Sequence, residues 1–192
     1  VDPARPVLAV LPGSRRQEVA HNLPSIAAAV KLLRERRPDL QFALAVAPSL
    51  DPGLFDGPLA GLPVTRVSAA THELLSASSA GIVASGTATV EAALMDLPMV
   101  VVYRLSPLTY ALGRPFVRVP HYAMANLIAG RKVVTELIQG DFRSERVAGE
   151  VEAVLAGPRR QEVLSGLAEV RARLGPPGAP ARAAEVVARL MG

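Results

Sequence analysis

The sequence predicts an α/β fold: a Rossmann-like, doubly wound parallel sheet with helices on both faces and a C-terminal helical extension. Three observations carry this prediction. Short apolar runs alternate with helix-periodic segments from Val7 to Tyr103. Those runs are near-continuously apolar, as strands buried on both faces are, rather than alternating. Two of them, Val7–Leu11 and Ala80–Ala84, lead through a Gly/Ser/Thr turn straight into a helical pattern.

Each element has its own warrant. Val7–Leu11 reads as the first buried strand. Val19, Leu23, Ile26, Val30 and Leu33 then step by four and three residues, which is one apolar helix face. Pro24 must lie near a first turn, where its missing N–H costs little, or it kinks the helix. Pro38-Asp39 ends the segment and residues 42–47 form the next strand. Residues 48–63, rich in Pro and Gly, read as a surface loop. A short strand over 64–67, a helix over 71–77, a strand over 80–84, a helix over 87–95 and a strand over 99–103 follow. Beyond them, 106–116 looks helical, 120–126 irregular, and 144–155 and 161–174 helical. Gly175-Pro176-Pro177-Gly178-Ala179-Pro180 breaks the chain before a last amphipathic helix at 181–191.

Composition narrows the class. A chain of 192 residues, half of them hydrophobic, fits one domain with an appendage. Glu91, Asp96 and Arg104 break its longest apolar stretches, so none is a membrane span. No signal-peptide pattern stands before the first strand, and cysteine is absent, which together fit the cytoplasm. The net charge of +4 suits an anionic ligand or surface. Aromatics make up 4% of residues and no basic run is interleaved with stacking rings, so nucleic acid is not expected.

The two turns carry the chemistry. A strand, a tight turn and a helix start present backbone N–H groups to an anion. In the first turn Gly13 permits close approach, Ser14 can cap the helix or bind a phosphate oxygen, and Arg15 can grip phosphate. Glu18 follows one turn into the helix. In the second, Ser85-Gly86-Thr87 supplies two hydroxyls and a flexible turn. Glu91, four residues after Thr87, shares its helix face and can accept paired hydrogen bonds from a ribose diol. Either turn alone is equally a capped helix start. Two together in one sheet point to a diphosphate with a nucleotide on one side. His21, His72 and His121 have no Asp, Ser or metal-ligand spacing, and no Asp-x-Asp pair is present, so no metal is expected. Arg104, Arg114 and Arg118 flank Leu108, Leu112, Phe116 and Val117, a half-buried helix or a membrane-surface patch.

Taken in order, Leu11-Pro-Gly-Ser-Arg-x-x-Glu18, Ser85-Gly-Thr-Ala-Thr-x-Glu91, the segment from Pro98 to Tyr110, Asn126-Leu-Ile-Ala-Gly-Arg131 and Glu136-Leu-Ile-Gln139 closely resemble the C-terminal half of lipid-A-disaccharide synthases. These are inverting, metal-independent glycosyltransferases of the two-domain GT-B type. The resemblance implies transfer of a glucosamine-derived sugar from UDP-2,3-diacylglucosamine to lipid X at the inner membrane surface, giving UDP and a β-1,6-linked disaccharide. It implies that Gly13, Ser14 and Arg15 face the diphosphate, with Glu18 supporting their loop. Ser85, Gly86 and Thr87 would complete the cradle, Glu91 would hold the ribose, and Asn126 would line the donor site. Arg15 would support charge on departing UDP, and no cofactor is implied.

Residues 1–175 are expected to form the donor domain, and 176–192 a linker and helix that pack on an N-terminal acceptor domain. That domain would hold the acceptor site and general base, so no catalytic residue is expected in this chain. The chain departs from the family pattern at Met124-Ala125, usually Leu-Pro, and at Thr135, usually Pro. Two other readings stand beside this one. One is half of another UDP-sugar enzyme, such as a UDP-N-acetylglucosamine transferase or 2-epimerase. The other is a non-catalytic module that binds a nucleotide or a partner.

Overall fold

The computed structural model describes residues 2, 4–106, 120–176 and 178–191. In chain order its elements are β1 (Val7–Leu11), α1 (Arg16–Arg36), β2 (Gln41–Val46), β3 (Val64–Ser68), α2 (Thr71–Ala77), β4 (Ala80–Ala84), α3 (Ala88–Leu94), β5 (Met99–Tyr103), α4 (Met124–Ala129), β6 (Thr135–Ile138), α5 (Ser144–Leu155), α6 (Gly157–Leu174) and α7 (Ala179–Met191). Short 3-10 turns at Pro52–Phe55 and Gln139–Asp141 punctuate the loops.

The six strands form one sheet in the order β3-β2-β1-β4-β5-β6, and every neighbouring pair is parallel. This is the doubly wound order. The chain leaves β1 toward one edge, returns to β4 beside it, and continues toward the other. Right-handed crossovers running in opposite directions place their helices on opposite faces. Accordingly α1 packs with α5, while α3, α4 and α6 pack with one another. All five residues of β1 and of β4 are buried, as the continuous apolar runs require of central strands. The switch point lies between β1 and β4, where the loops leaving the two strands diverge and open a crevice.

The predicted stripe of α1, Val19, Leu23, Ile26, Val30 and Leu33, is buried throughout. Pro24 sits inside this helix on its exposed side, not in its first turn. It cannot bond the carbonyl of Ala20, which is itself exposed to solvent. Three further expectations are corrected. Residues 120–126 are not wholly irregular, because α4 begins at Met124. The helix expected from residue 161 begins at Gly157, since Pro158 occupies its first turn, where proline is favoured. The last helix begins at Ala179 and includes Pro180. Strand β6 was hidden from periodicity, with only four residues and a central carboxylate. The helix expected over 106–116, with Arg114 and Arg118, falls almost wholly outside the described residues, since the structure describes only Ser106 there.

On α7, Val186, Val187 and Leu190 are exposed at 56%, 54% and 83%, an apolar stripe at helical spacing with no cover among the described residues. No helix of the described residues is long and apolar enough to cross a membrane.

Candidate functional site

The two Gly turns meet at the switch point. A cavity of about 420 Å³ is lined there by Gly13, Ser14, Arg15 and Glu18 from the first turn and by Ser85, Gly86, Thr87 and Glu91 from the second. Ala45 and Ala47 at the end of β2, Thr71 of α2 and Met124 of α4 complete its wall. Eight of the nine candidate residues are therefore brought together, and the volume suits a nucleotide-sized ligand.

In the first turn Gly13 has φ +127°, and a Cβ there would lie 2.5 Å from the carboxyl of Glu18. Glycine is needed for conformation and for space alike. Glu18 turns back to accept the Ser14 N–H at 3.0 Å, so this carboxylate braces the turn. Pro12, just before it, gives its carbonyl to the buried amide of Asn22 at 2.9 Å, and Asn22 Oδ1 accepts the Arg104 N–H at 3.0 Å. Asn22 thus ties the first turn to the exit of β5. Arg15, extended at φ −112° before α1, has no side-chain partner among the described residues. Its guanidinium stands beside the N-terminus of a 21-residue helix, where charge and dipole both favour an anion.

In the second turn Gly86 has φ +150° with open space around it among the described residues, so conformation is what requires glycine there. The Gly86 carbonyl accepts both the N–H of Thr89, at 3.1 Å, and its hydroxyl, at 2.8 Å. Thr87 is exposed and its hydroxyl is uncommitted among the described residues. Ser85 differs: its hydroxyl donates to the Tyr122 carbonyl at 2.6 Å. Its single proton is spent inside the protein, so toward the cavity it presents lone pairs. Glu91 faces His72 Nε2 at 3.8 Å across the cavity wall, and Ala69, at φ +56°, turns the chain so that Thr71 and His72 arrive there.

Asn126 does not reach the cavity. It is fully buried, its Oδ1 accepting the N–H groups of Val133 and Val134 at 2.8 and 2.9 Å. Its amide donates to Val134 O at 3.0 Å and Glu136 Oε1 at 2.8 Å. Sequence reasoning also missed Asn22, Thr71 and Met124, which no local motif marks. Among the described residues no group of His, Cys, Asp or Glu is placed to hold a metal ion.

The sheet order and the two-turn cavity define a class: a Rossmann-type unit with a cavity between two Gly turns at its switch point. The fold is shared with solved glycosyltransferases. A calicheamicin glycosyltransferase superposes with TM-score 0.65 at 21% identity, covering 98% of this chain and 44% of that one. The model of the lipid-A-disaccharide synthetase family matches residues 1–171. The lipid-A-disaccharide synthase of Anaeromyxobacter dehalogenans is 46% identical over 192 residues, and that of Myxococcus xanthus 47% over 191. The alignments cover 98% and 97% of this chain. The chain belongs to the lipid-A-disaccharide synthetase family. It spans about half the length of these relatives, 50% and 49%.

Proposed function

We propose that this chain is the donor-binding half of an inverting glycosyltransferase that moves 2,3-diacylglucosamine from UDP to lipid X. The observation that carries the reading is the cavity at the switch point. There Arg15, whose guanidinium has no partner among the described residues, lines one volume together with Ser14, Thr87 and Glu91. On this reading Arg15 and the α1 N-terminus meet the diphosphate, the backbone of Gly86 and Thr87 closes the opposite side, and Glu91 takes the ribose diol.

In the reaction the acceptor hydroxyl oxygen attacks the anomeric carbon as the bond from that carbon to the phosphate oxygen breaks. The bonding pair leaves with UDP, the anomeric configuration inverts, and the hydroxyl proton passes to a general base. Arg15 and the helix dipole stabilise the charge that grows on UDP, which is where this half contributes to the rate. The acceptor site and base belong, on this reading, to the portion of the relatives that the chain does not span. The exposed stripe of α7 would pack on that portion, at the cytoplasmic face of the inner membrane.

Calorimetric titration with UDP and UDP-N-acetylglucosamine, beside Arg15→Ala, tests this. Binding by the wild-type chain and about a 30-fold loss in the variant are expected, as for removal of one charge-assisted contact. A folded wild-type chain that ignores UDP, or a variant that binds it equally well, would overturn the assignment.

A further inference from the structure

Beneath the second turn lies a carboxylate that the cavity does not use. Glu136, on β6, is half-buried and has no ion-pair partner among the described residues. Its carboxylate instead accepts three protein N–H donors. The Tyr122 N–H lies 3.1 and 3.2 Å from its two oxygens, the Ala123 N–H at 2.8 Å and Asn126 Nδ2 at 2.8 Å. Helix α4 has no side-chain cap of its own, since Ala123 occupies the cap position. Glu136, from another strand, instead holds the N–H of Ala123 and of Tyr122, the two residues that lead into the helix. The amide of Asn126 holds Glu136 on one side and grips the backbone of Val133 and Val134 on the other, pinning α4 to the segment that enters β6.

The chain of contacts ends at the cavity. The Tyr122 carbonyl, on the residue whose N–H Glu136 holds, receives the Ser85 hydroxyl at 2.6 Å. Ser85 N–H is fixed in turn by the Val102 carbonyl at 3.0 Å. The residue that opens the Ser85-Gly86-Thr87 turn is thus held from both sides, by β5 and by the loop that Glu136 holds.

We propose that Glu136, with Asn126, is a positioning residue for ligand binding, acting through the Tyr122 carbonyl on Ser85 and so on the backbone of Gly86 and Thr87. The inference rests on the reading of the cavity as a UDP site. It assigns Ser85 the role of a strap and leaves direct contact with the ligand to its two successors. A half-buried carboxylate satisfied only by backbone and amide donors is costly unless its whole network is complete. Loss of any one member therefore reaches the turn.

The test is a double-mutant cycle read as UDP affinity of the 192-residue chain. Glu136→Gln keeps the shape but turns an N–H₂ group toward donors, and about a tenfold loss of UDP affinity is expected. Ser85→Ala should cost a similar factor. The double variant should be little worse than either single one, because both act along one route. Glu136→Gln with Arg15→Ala should instead multiply, because they act on opposite sides of the cavity. Glu136→Gln that binds UDP like the wild type, or losses that multiply with Ser85→Ala, overturn the proposal while leaving the UDP site standing. A folded wild-type chain that does not bind UDP overturns both. If Glu136→Gln fails to fold, Glu136→Asp, which keeps the charge one methylene farther away, replaces it with the same expected pattern.

Discussion

Replacing Gly13 and Gly86 in turn by alanine separates two reasons for glycine that sequence cannot distinguish. Both residues have φ values, +127° and +150°, that L-residues avoid. Conformation alone therefore costs each variant about 2 kcal/mol. At Gly86 nothing among the described residues lies within 4 Å of the new methyl, so Gly86→Ala should stop there. At Gly13 the methyl would sit 2.5 Å from the Glu18 carboxyl, a flexible side chain that can swing away. Doing so gives up its bond to the Ser14 N–H, worth about 1.5 kcal/mol for a charged acceptor. Gly13→Ala should thus lose about 3.5 kcal/mol. Glu18→Ala alone should lose the smaller share, and adding it to Gly13→Ala should change nothing, because the bond is already gone. Urea unfolding followed by circular dichroism measures all four chains. Equal costs for the two glycine variants, or strict additivity of Gly13→Ala with Glu18→Ala, would refute the bracing role of Glu18.

Further predictions follow from other parts of the fold. Pro24→Ala should stabilise the chain by about 1–3 kcal/mol, because an alanine there restores a bond to the Ala20 carbonyl within a continuous helix; an unchanged urea midpoint would contradict this. Asn22→Ala leaves the Pro12 carbonyl and the Arg104 N–H without their partner and should cost about 3 kcal/mol in the same assay. Arg104 spans Ser25 Oγ at 2.8 Å, the Phe142 carbonyl and the Phe142 ring at 4.8 Å, so even Arg104→Lys should lower the thermal midpoint clearly. Glu169 is held below the usual carboxylate range, first by its hydrogen bond from Arg131 and also by the charges of Arg131 and Arg173. Its contribution is present above the unfolded carboxylate pKa and lost as pH falls through the lower folded value. Glu169→Gln should therefore be less stable than the wild type at neutral pH, the difference closing in acid. A gap that persists there would refute the pairing.

What the sequence revealed and what it hid divide along contact range. The strands and the two turns were legible because their signals are local: five apolar residues, then a glycine, then a helix period. Arg15 and Glu91 were legible for the same reason, standing at fixed short offsets from those glycines. Asn126 was misplaced because its motif says that it matters but not which way it points. Only its bonds to Val133 and Val134, and to Glu136 on an unpredicted strand, show that it faces inward. Asn22 is 82 residues from the Arg104 N–H it holds, and Ser85 is 37 from Tyr122, so no window could join either pair.

This division has a physical cause. An anion is bound by groups at the start of one helix, so evolution can place them by choosing a few consecutive residues. Holding two such starts at a fixed separation is a different task, since they lie on strands joined only through the sheet and its loops. Buried polar side chains with full hydrogen-bonding capacity serve that task, because each fixes the relative position of two backbones and tolerates little slip. Asn22 joins the first turn to β5, and Glu136 with Asn126 joins the loop over the second turn to β6. On the proposed reading, the width of the cradle would be set by residues that touch no ligand. A relative that retains both Gly turns but loses these inner amides and carboxylate should keep the fold and bind UDP poorly. Grafting Asn22, Asn126 and Glu136 into such a chain should restore affinity without any new contact in the cavity. Restoration of stability alone, with affinity unmoved, would show instead that the turns hold their spacing by themselves.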